Sequence, residues 1–411
     1  MSNDDNRPRE FDVHDEDLPS EQRNLGTGIT GDLPDVYGDA PTDLPENLEA
    51  DAIGRGEGIG EAKEVEGLSQ GQIVWRRFIR HRGAIFGLVI LLTITVLAIS
   101  AMGIGPIPGW WIWQDPTKPL PMINGGQPTL TLPTWLGGPG FALGEHPFGQ
   151  DNIGIDNFAS VMAGVKTSLL VMTVLGLTSL IIGVTVGSLA GFYRGKLDTF
   201  LMRVTDLVIT LPVIVLGAVL GKLISGASYK FGLPVEFGQW VRVNMPFLLG
   251  LALGMILWPS LSRLVRAEFM SLREREFVDS ARVAGASDWR IITKHILPNA
   301  IGVIIVNTTL LMSLAVVLET ALSFLGFGIT DPNVSLGLLI SINQGAFQTR
   351  PWLFWWPGLF IILIALSVNF IGDGLRDAFD PRTKRIPSKR QMDKALAKIA
   401  AANAEQKEVA R

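Results

Sequence analysis

Six apolar stretches divide this sequence, and each is long enough to cross a lipid bilayer, which takes about 20 helical residues. Five of them carry no charge, and the third is interrupted only near its ends, by Asp206 and Lys222. With 47% hydrophobic and 18% charged residues, the composition favours an integral membrane protein. The sequence therefore predicts an all-α membrane protein with six transmembrane helices, over Ala84–Met102, Thr167–Tyr193, Val204–Ile224, Val243–Ser262, Ile296–Leu318 and Pro351–Gly372.

Basic residues lie at alternate ends of these stretches and predict the orientation, because loops rich in Lys and Arg stay in the cytoplasm. They precede the first stretch, fill the loops after the second and fourth, and follow the sixth. We therefore expect both termini on the cytoplasmic side. The residues concerned include Arg76, Arg77, Arg80, Arg82, Arg194, Lys196, Arg203, Arg263, Arg266, Arg273, Arg275, Arg282, Arg290, Lys294, Arg376, Arg382, Lys384 and Arg385.

Charge and apolar content divide the chain into five regions. Residues 1–72 carry 19 Asp and Glu against 5 Lys and Arg and lack apolar periodicity, which predicts a disordered cytoplasmic tail, with a docking arm as the alternative. No cleavable signal peptide is expected, because the first apolar run begins only near Ala84. The other regions are the first span with its basic flank (73–103), an extracytoplasmic segment (104–165), a five-helix core (166–372) that contains the loop 263–298, and a cytoplasmic tail (373–411) ending in a predicted helix, Ser388–Arg411.

Several features predict packing rather than chemistry. Gly183, Gly187 and Gly191 are spaced by four, which lets helix backbones approach closely. Arg203 and Asp206 are spaced to pair across one helix turn. The tryptophans of the outer segment predict anchors at the membrane interface, with a docking surface for an outside protein as the alternative; they are Trp110, Trp111, Trp113 and Trp135.

The polar loop 263–298 predicts a helical hairpin on the cytoplasmic side. Glu276–Ala284 is a candidate short helix, Gly285 suits a left-handed turn, and Ser287 is a candidate N-cap for a second helix, Asp288–Ile296. Pro298 would then restart the chain into the fifth span. Small residues beside a large tryptophan favour docking of another protein, with an unpartnered interfacial hairpin as the alternative. The candidate docking residues are Glu276, Ser280, Ala281, Ala284, Gly285, Ala286, Ser287, Asp288, Trp289, His295, Leu297 and Pro298.

The sequence lacks residue types and motifs that common classes of enzyme require. The chain has no cysteine, which excludes disulfides, thiolate catalysis and cysteine-bound zinc, and four histidines disfavour a metal cluster. It has no His-Glu-x-x-His, no Gly-x-Ser-x-Gly and no Gly-x-x-x-x-Gly-Lys-Ser/Thr sequence. We therefore expect no catalytic residue and no metal site, and DNA binding is disfavoured because the hairpin lies between two spans. A secondary transporter remains a rival interpretation, although no repeated halves are apparent.

Several motifs resemble one family along most of the chain. His146-Pro147-Phe148-Gly149 with Asp151, Gly154 and Asp156 resembles the His-Pro-Leu-Gly-Thr-Asp…Gly-Arg-Asp signature of C-type permeases of dipeptide and oligopeptide ABC importers. The hairpin resembles the family's EAA coupling loop. Further matches bring the resemblance to roughly residues 73–385, and they are Ala190–Tyr193, Leu322–Gly328 and Gly372–Pro381. The sequence departs from the family pattern at Gln150, Ile155, Ser280 and Leu336.

The resemblance implies a type I ABC importer permease fold with cytoplasmic coupling helices, in the inner membrane of the cell. It implies as partners a related second permease, two ATP-binding subunits that hold ATP and Mg²⁺, and an extracytoplasmic substrate-binding protein. The chain itself would be non-enzymatic and without a cofactor. The implied solutes are di- and oligopeptides, with nickel or another small solute as the alternative.

A translocation path between the two permeases would be lined by polar residues within the spans. An acid at membrane depth is costly and points to a role. The alternative is that Glu319 lies near the outer end of its span, where its carboxylate bonds to backbone or faces the partner subunit. The candidate path residues are Asn307, Thr308, Thr309, Ser313 and Glu319.

Overall fold

The computed structural model describes residues 70–226, 232 and 234–380, and this part of the chain is helical apart from loops and isolated β-bridges. The predicted disordered tail up to residue 69 and the predicted helix Ser388–Arg411 lie outside the described residues, whereas residues 70–72 are helical. The main helices, in chain order, are α1 (Gln70–Arg80), α2 (Arg82–Met102), α3 (Asn157–Tyr193), α4 (Gly195–Thr210), α5 (Val213–Ser225), α6 (Val235–Val243), α7 (Met245–Arg273), α8 (Glu276–Val283), α9 (Asp288–Phe324), α10 (Leu336–Asn343) and α11 (Trp352–Phe379).

The predicted all-α membrane fold is confirmed, with one change in its third span. Helices α2, α3, α7, α9 and α11 are each long and apolar enough to cross a bilayer. The predicted straight span Val204–Ile224 is instead divided between α4 and α5, which meet at 85°. Leu211 between them is extended and Pro212 follows. Proline restricts the preceding residue to extended conformations and cannot donate a helical hydrogen bond, so the span breaks there.

Several helices extend beyond the predicted apolar stretches. Helix α3 begins at Asn157, because the side chain of Asp156 accepts a hydrogen bond from the N–H of Ala159 and caps the helix. Residues 157–165 of the predicted outer segment are therefore helical. At the basic side, α7 continues to Arg273 and α11 to Phe379. The helical scaffold thus extends into the loops that carry the basic residues.

Helices α3 and α7 share the most extensive helix–helix contact of the described residues, and the predicted glycine stripe explains their close approach. A Cβ atom at Gly187 would lie 2.5 Å from the backbone oxygen of Ser262, and one at Gly191 would lie 2.7 Å from that of Arg266. The prediction of close backbone packing is therefore confirmed. Helix α7 is also the most buried span, with 67% of its apolar window buried, against 22% for α2. The fold therefore has α7 at its centre and α2 at its edge.

The outer segment is folded against the spans, which corrects the prediction of interface anchors for one tryptophan. Trp111 is only 6% exposed, and its indole Nε1 donates to Asp156 at 2.9 Å. The ring of Trp113 stacks on His146 with 6.0 Å between centroids. Trp110 and Trp135 are exposed, as interface anchors would be. Sequence composition alone did not distinguish the buried rings from the exposed ones.

Candidate functional site

The predicted hairpin forms a compact elbow of α8, a turn and the start of α9. Gly285 has a φ of 78°, so the predicted left-handed turn is confirmed. Its N–H donates to the carbonyl of Arg282 at 2.9 Å, and the N–H of Ala286 donates to that of Ala281 at 3.0 Å. These two bonds define a Schellman motif, which satisfies the last carbonyls of α8. The turn therefore fixes the direction in which the chain leaves α8.

The second helix of the elbow is continuous with the fifth span, which corrects the prediction that Pro298 restarts the chain. Residues Ile291–Ile296 form a π-helical turn inside α9, and the N–H of Leu297 bonds to the carbonyl of Ile292, five residues back. Proline lacks an N–H and would collide with the carbonyl of Lys294 in a regular α-helix. The wider π turn accommodates Pro298, so α8 is joined through a rigid turn to one helix of 37 residues.

The inner face of the elbow is packed against three spans. Val278, Ile291 and Ile296 are fully buried and belong to one apolar cluster. Phe192 of α3 and Phe269 of α7 lie in the same cluster. A force on the elbow therefore reaches α3, α7 and α9 together, because close-packed interiors are weakly compressible and transmit strain.

The outer face presents two large apolar side chains without contacts that would cover them. Val283 is 90% exposed and Trp289 is 71% exposed. Trp289 was predicted as the anchor of this surface, whereas Val283 was missed. The signal for it was helical spacing: Val283 lies five residues after Val278, which places it on the opposite side of α8. We call Val283 and Trp289 the elbow apex.

The twelve predicted docking residues divide by exposure. Ala281 is buried beneath the elbow, and Ala286, His295 and Leu297 are half-buried. A Cβ atom at Gly285 would have no neighbour within 4 Å, so the space outside the turn is open. The exposed members are Glu276, Ser280, Ala284, Gly285, Ser287, Asp288, Trp289 and Pro298.

Ion pairs tie the helix ends around the elbow to one another. The guanidinium of Arg266 makes two hydrogen bonds to Asp198, at 2.6 and 2.7 Å. Arg194 donates to Glu274 at 2.6 Å, and this hydrogen bond lowers the pKa of the Glu274 carboxyl. These pairs join the α3–α4 connection to α7. The helix ends against which the elbow packs are therefore held together by ion pairs as well as by apolar contacts.

The predicted pair of Arg203 with Asp206 is wrong. Asp206 instead accepts a hydrogen bond from Arg263, which lies on α7. The broken third span brings α4 alongside α7, and this long-range neighbour takes precedence over the local one. The contact adds a second ion pair between α4 and α7, beside that of Asp198 with Arg266.

The predicted path residues lie on α9 with most of their polar groups already bonded. Asn307, Thr308 and Thr309 each bond to the carbonyl four residues earlier, at 2.8 to 2.9 Å. Ser313 donates to the carbonyl of Ala365 on α11. Thr308 and Ser313 are buried, whereas Asn307 and Thr309 are half-buried. Within this single chain, Asn307 and Thr309 are therefore the members of this group nearest to an open surface.

Glu319 is fully buried at the outer end of α9 and bonds within its own subunit. Ser168 of α3 donates to one carboxylate oxygen at 2.9 Å, and Ser323 donates to the other at 2.7 Å. The hydroxyl of Ser323 also accepts from the N–H of Ile329. The side chain thus joins α3, α9 and the turn that follows α9.

The His-Pro-Phe-Gly motif builds a clamp at the outer end of α3. Nδ1 of His146 lies 2.8 Å from Asp156, the residue that caps α3, and both side chains are buried. Burial raises the pKa of the Asp156 carboxyl, against the hydrogen bonds that it accepts. Gln150, one of the departures from the family pattern, is also buried and donates to the carbonyls of Pro121 and Gly154. The motif therefore holds the outer segment in shape.

A cavity of about 330 Å³ opens beside this clamp. Ile155, the second departure, lies in its wall together with Asp151 and Asn157. Residues before and within α10 form the facing wall, among them Asp331, Asn333 and Leu338. The side chain of Ile155 is apolar and adds no charge to this wall.

Comparison with known proteins agrees with the motifs. A family model described as the binding-protein-dependent transport system inner membrane component matches residues 183–385. A second model, the N-terminal transmembrane domain of oligopeptide transport permease C, matches residues 69–117. A protein named as a peptide transport system permease in Brucella abortus is 35% identical over 310 residues, which are 75% of this chain and 91% of that protein.

A second relative and a solved structure are also similar to this chain. The oligopeptide transport system permease protein OppC of Mycobacterium bovis is 34% identical over 318 residues, covering 77% of this chain and 97% of that protein. An inward-facing structure of the MetNI methionine ABC transporter aligns with a TM-score of 0.39 at 22% identity, over 53% of this chain and 94% of that one. On the strength of the sequence matches, this chain belongs to the family of inner-membrane components of binding-protein-dependent transport systems, the multi-pass permeases of ABC importers.

Proposed function

We propose that this chain is one of two permease subunits of an ATP-driven importer, and that its solutes are di- and oligopeptides. The assignment of the solute is supported by the relatives, which are named as peptide and oligopeptide permeases and are covered over 91% and 97% of their length. A substrate-binding protein on the outer side delivers the peptide. Two ATP-binding subunits hold ATP and Mg²⁺, and this chain contributes no catalytic residue.

The elbow is the contact through which an ATP-binding subunit moves the spans. The observation that carries this proposal is the contrast between its two faces. The elbow apex, Val283 and Trp289, is exposed, whereas Val278, Ile291 and Ile296 on the inner side are fully buried. A partner that binds the elbow apex and moves therefore displaces α3, α7 and α9 together.

The second permease covers apolar surface that this chain leaves exposed. Along α9, Leu310, Leu314 and Val317 recur at helical spacing and are 39 to 51% exposed. On the broken third span, Phe200 and Leu207 are 64 and 66% exposed. Asn307 and Thr309 flank the α9 surface and are the residues we assign to the path.

The docking role is tested with Val283→Asp combined with Trp289→Ala in the assembled transporter. Both side chains are exposed, so the spans are expected to insert normally, while retention of the ATP-binding subunit and peptide uptake fall together. Val235→Asp is the matched control, because Val235 is 70% exposed and lies on the outer side. Full retention and full uptake in the double variant would refute the docking role.

The energy source is tested with a labelled tripeptide in vesicles that contain the assembled transporter. Uptake is expected to need ATP, the ATP-binding subunits and the substrate-binding protein, and to survive collapse of the ion gradients. Uptake that persists without the ATP-binding subunits and stops when the gradients collapse would instead identify a secondary transporter. Binding-protein-dependent uptake of radioactive nickel, with no uptake of the labelled tripeptide, would move the solute to the alternative class.

A further inference from the structure

Helix α1 is amphipathic, and only part of its apolar face is covered by protein. Phe78 is 5% exposed and packs with Val74 against the start of α2 and the end of α11. The neighbouring apolar positions, Trp75 and Ile79, are 60% and 49% exposed. Trp75 stacks on Phe78 with 6.2 Å between ring centroids. The apolar surface of α1 therefore continues from the protein core out to an open edge.

The position of α1 is fixed by polar contacts to the same two spans. Arg77 donates to the carbonyl of Asp380 at 2.9 Å, just beyond the end of α11. His81, the residue between α1 and α2, caps α2 by accepting from the N–H of Ala84, and its other ring nitrogen lies 3.3 Å from Asp377. The open edge is thus held beside the basic ends of α2 and α11.

The polar side of α1 is basic and has no acidic partner among the residues that the structure describes. Residues 70–82 contain no Asp or Glu. Arg76, Arg80 and Arg82 are exposed, and no carboxylate of the described residues pairs with them. Arg76 and Arg80 are four residues apart and share one side of the helix, next to Trp75 and Ile79. Three exposed guanidinium groups, none of them paired with a described carboxylate, therefore border an exposed apolar strip.

We propose that α1 lies in the headgroup region of the cytoplasmic leaflet and binds anionic phospholipids. Helices of this kind bury their apolar face at the boundary of the acyl chains, and basic residues beside it attract acidic headgroups. Trp75 and Ile79 enter the acyl boundary, because tryptophan and aliphatic side chains favour that depth. Arg76, Arg80 and Arg82 bind the phosphates of the headgroups.

Position in the fold favours lipid over another protein as the occupant. Only one residue separates α1 from α2, the least buried of the spans. Phe86, Val89 and Leu92, in the first half of α2, are 55 to 60% exposed and form one apolar stripe. The open edge of α1 therefore lies at the cytoplasmic end of a lipid-facing helix. Bound headgroups stabilise the ends of α2 and α11, whichever solute the transporter carries.

Depth in the membrane is the first test, and this chain has no cysteine of its own that would compete for the label. Ile79→Cys and Ile73→Cys are labelled with a nitroxide in the assembled transporter, in vesicles of equal parts phosphatidylcholine and phosphatidylglycerol. The label at residue 79 is expected to collide with oxygen and to be shielded from a water-soluble nickel complex. The label at residue 73, on the arginine side, is expected to meet the nickel complex. Shielding of residue 79 from both probes would mean a protein covers α1, and access of the nickel complex would mean water does; either result overturns the proposal.

Headgroup preference is the second test. A fluorophore at Ile79→Cys is quenched by brominated phosphatidylglycerol or brominated phosphatidylcholine, and the ratio reports the preference. Arg76→Gln with Arg80→Gln is expected to reduce this preference roughly 25-fold at low salt, about fivefold for each arginine, and less as salt rises. The matched control is Lys196→Gln with Arg203→Gln, two exposed basic residues of α4. An unchanged ratio in the α1 variant, or an equal loss in the control, would overturn the proposal.

Discussion

Replacement of Gly285 tests whether the shape of the elbow governs coupling. A residue with a Cβ atom costs about 1–2 kcal/mol in a left-handed conformation, and Gly285 has a φ of 78°. Steric collision adds nothing within this chain, because no atom lies within 4 Å of the added carbon. Gly285→Ala should therefore weaken retention of the ATP-binding subunit by at most roughly 5- to 30-fold.

Gly285→Pro is expected to be more damaging. Proline fixes φ near −65° and removes the N–H that donates to Arg282 at 2.9 Å, so the Schellman motif cannot form. Uptake should be abolished while the protein still reaches the membrane, because the turn lies outside the spans. The assay measures labelled-peptide uptake and co-purification of the ATP-binding subunit in the same preparation.

Gly285→Asn is the control that distinguishes backbone strain from steric collision with the docked subunit. Asparagine tolerates the left-handed backbone conformation better than alanine does, but it adds a side chain. Nearly normal uptake in this variant, with loss in the alanine and proline variants, is the expected pattern. Equal damage by asparagine and proline would mean that the docked subunit occupies the space outside the turn. Normal uptake and retention in Gly285→Pro would refute the coupling role of the elbow.

Three further predictions concern the scaffold. Gly187→Ala should destabilise the protein by about 1–3 kcal/mol in thermal melting, because α7 leaves no room for a methyl group, whereas Gly358→Ala, with no atom within 4 Å, should not. The lowered pKa of Glu274 means that its contribution to stability is present above the unfolded-state pKa and is lost as pH falls through the folded-state value. Glu274→Gln should therefore lower the melting temperature at neutral pH but not in acid. The control is Glu145→Gln, which should lower it at neither pH, because Glu145 is exposed and forms no ion pair with a described residue. Deletion of residues 1–68 should leave uptake intact at equal membrane levels, since the family match begins at residue 69.

Features that depend on local chemistry were predictable from the sequence. The positions of five spans followed from runs of uncharged residues. Gly285 was recognised because small residues and a glycine end a short helix. The glycine stripe of α3 predicted close packing, and the contacts of Gly187 and Gly191 agree. In each case the deciding interaction lies within a few residues or repeats at a fixed spacing.

Features that depend on distant neighbours were not predictable. Arg203 is three residues from Asp206, yet Arg263, 57 residues away, takes the contact, because the break at Pro212 redirects the third span. Two prolines also act differently: Pro212 breaks its helix, whereas Pro298 is accommodated by a π turn. Whether a proline breaks a helix or is accommodated within it depends on the residues that surround the helix, which a single sequence does not show.

The continuity of α9 gives the elbow a direct mechanical link to the outer face. The helix starts in the elbow at Asp288 and reaches Glu319 near its far end, a distance of roughly 46 Å at 1.5 Å per residue. There Glu319 is bonded to Ser168 of α3 and, through Ser323, to the turn beyond α9. A movement imposed at the elbow apex therefore arrives at a buried polar junction between two spans. Because that junction is held by directional hydrogen bonds, α3 and the outer turn must move with α9 or break those bonds.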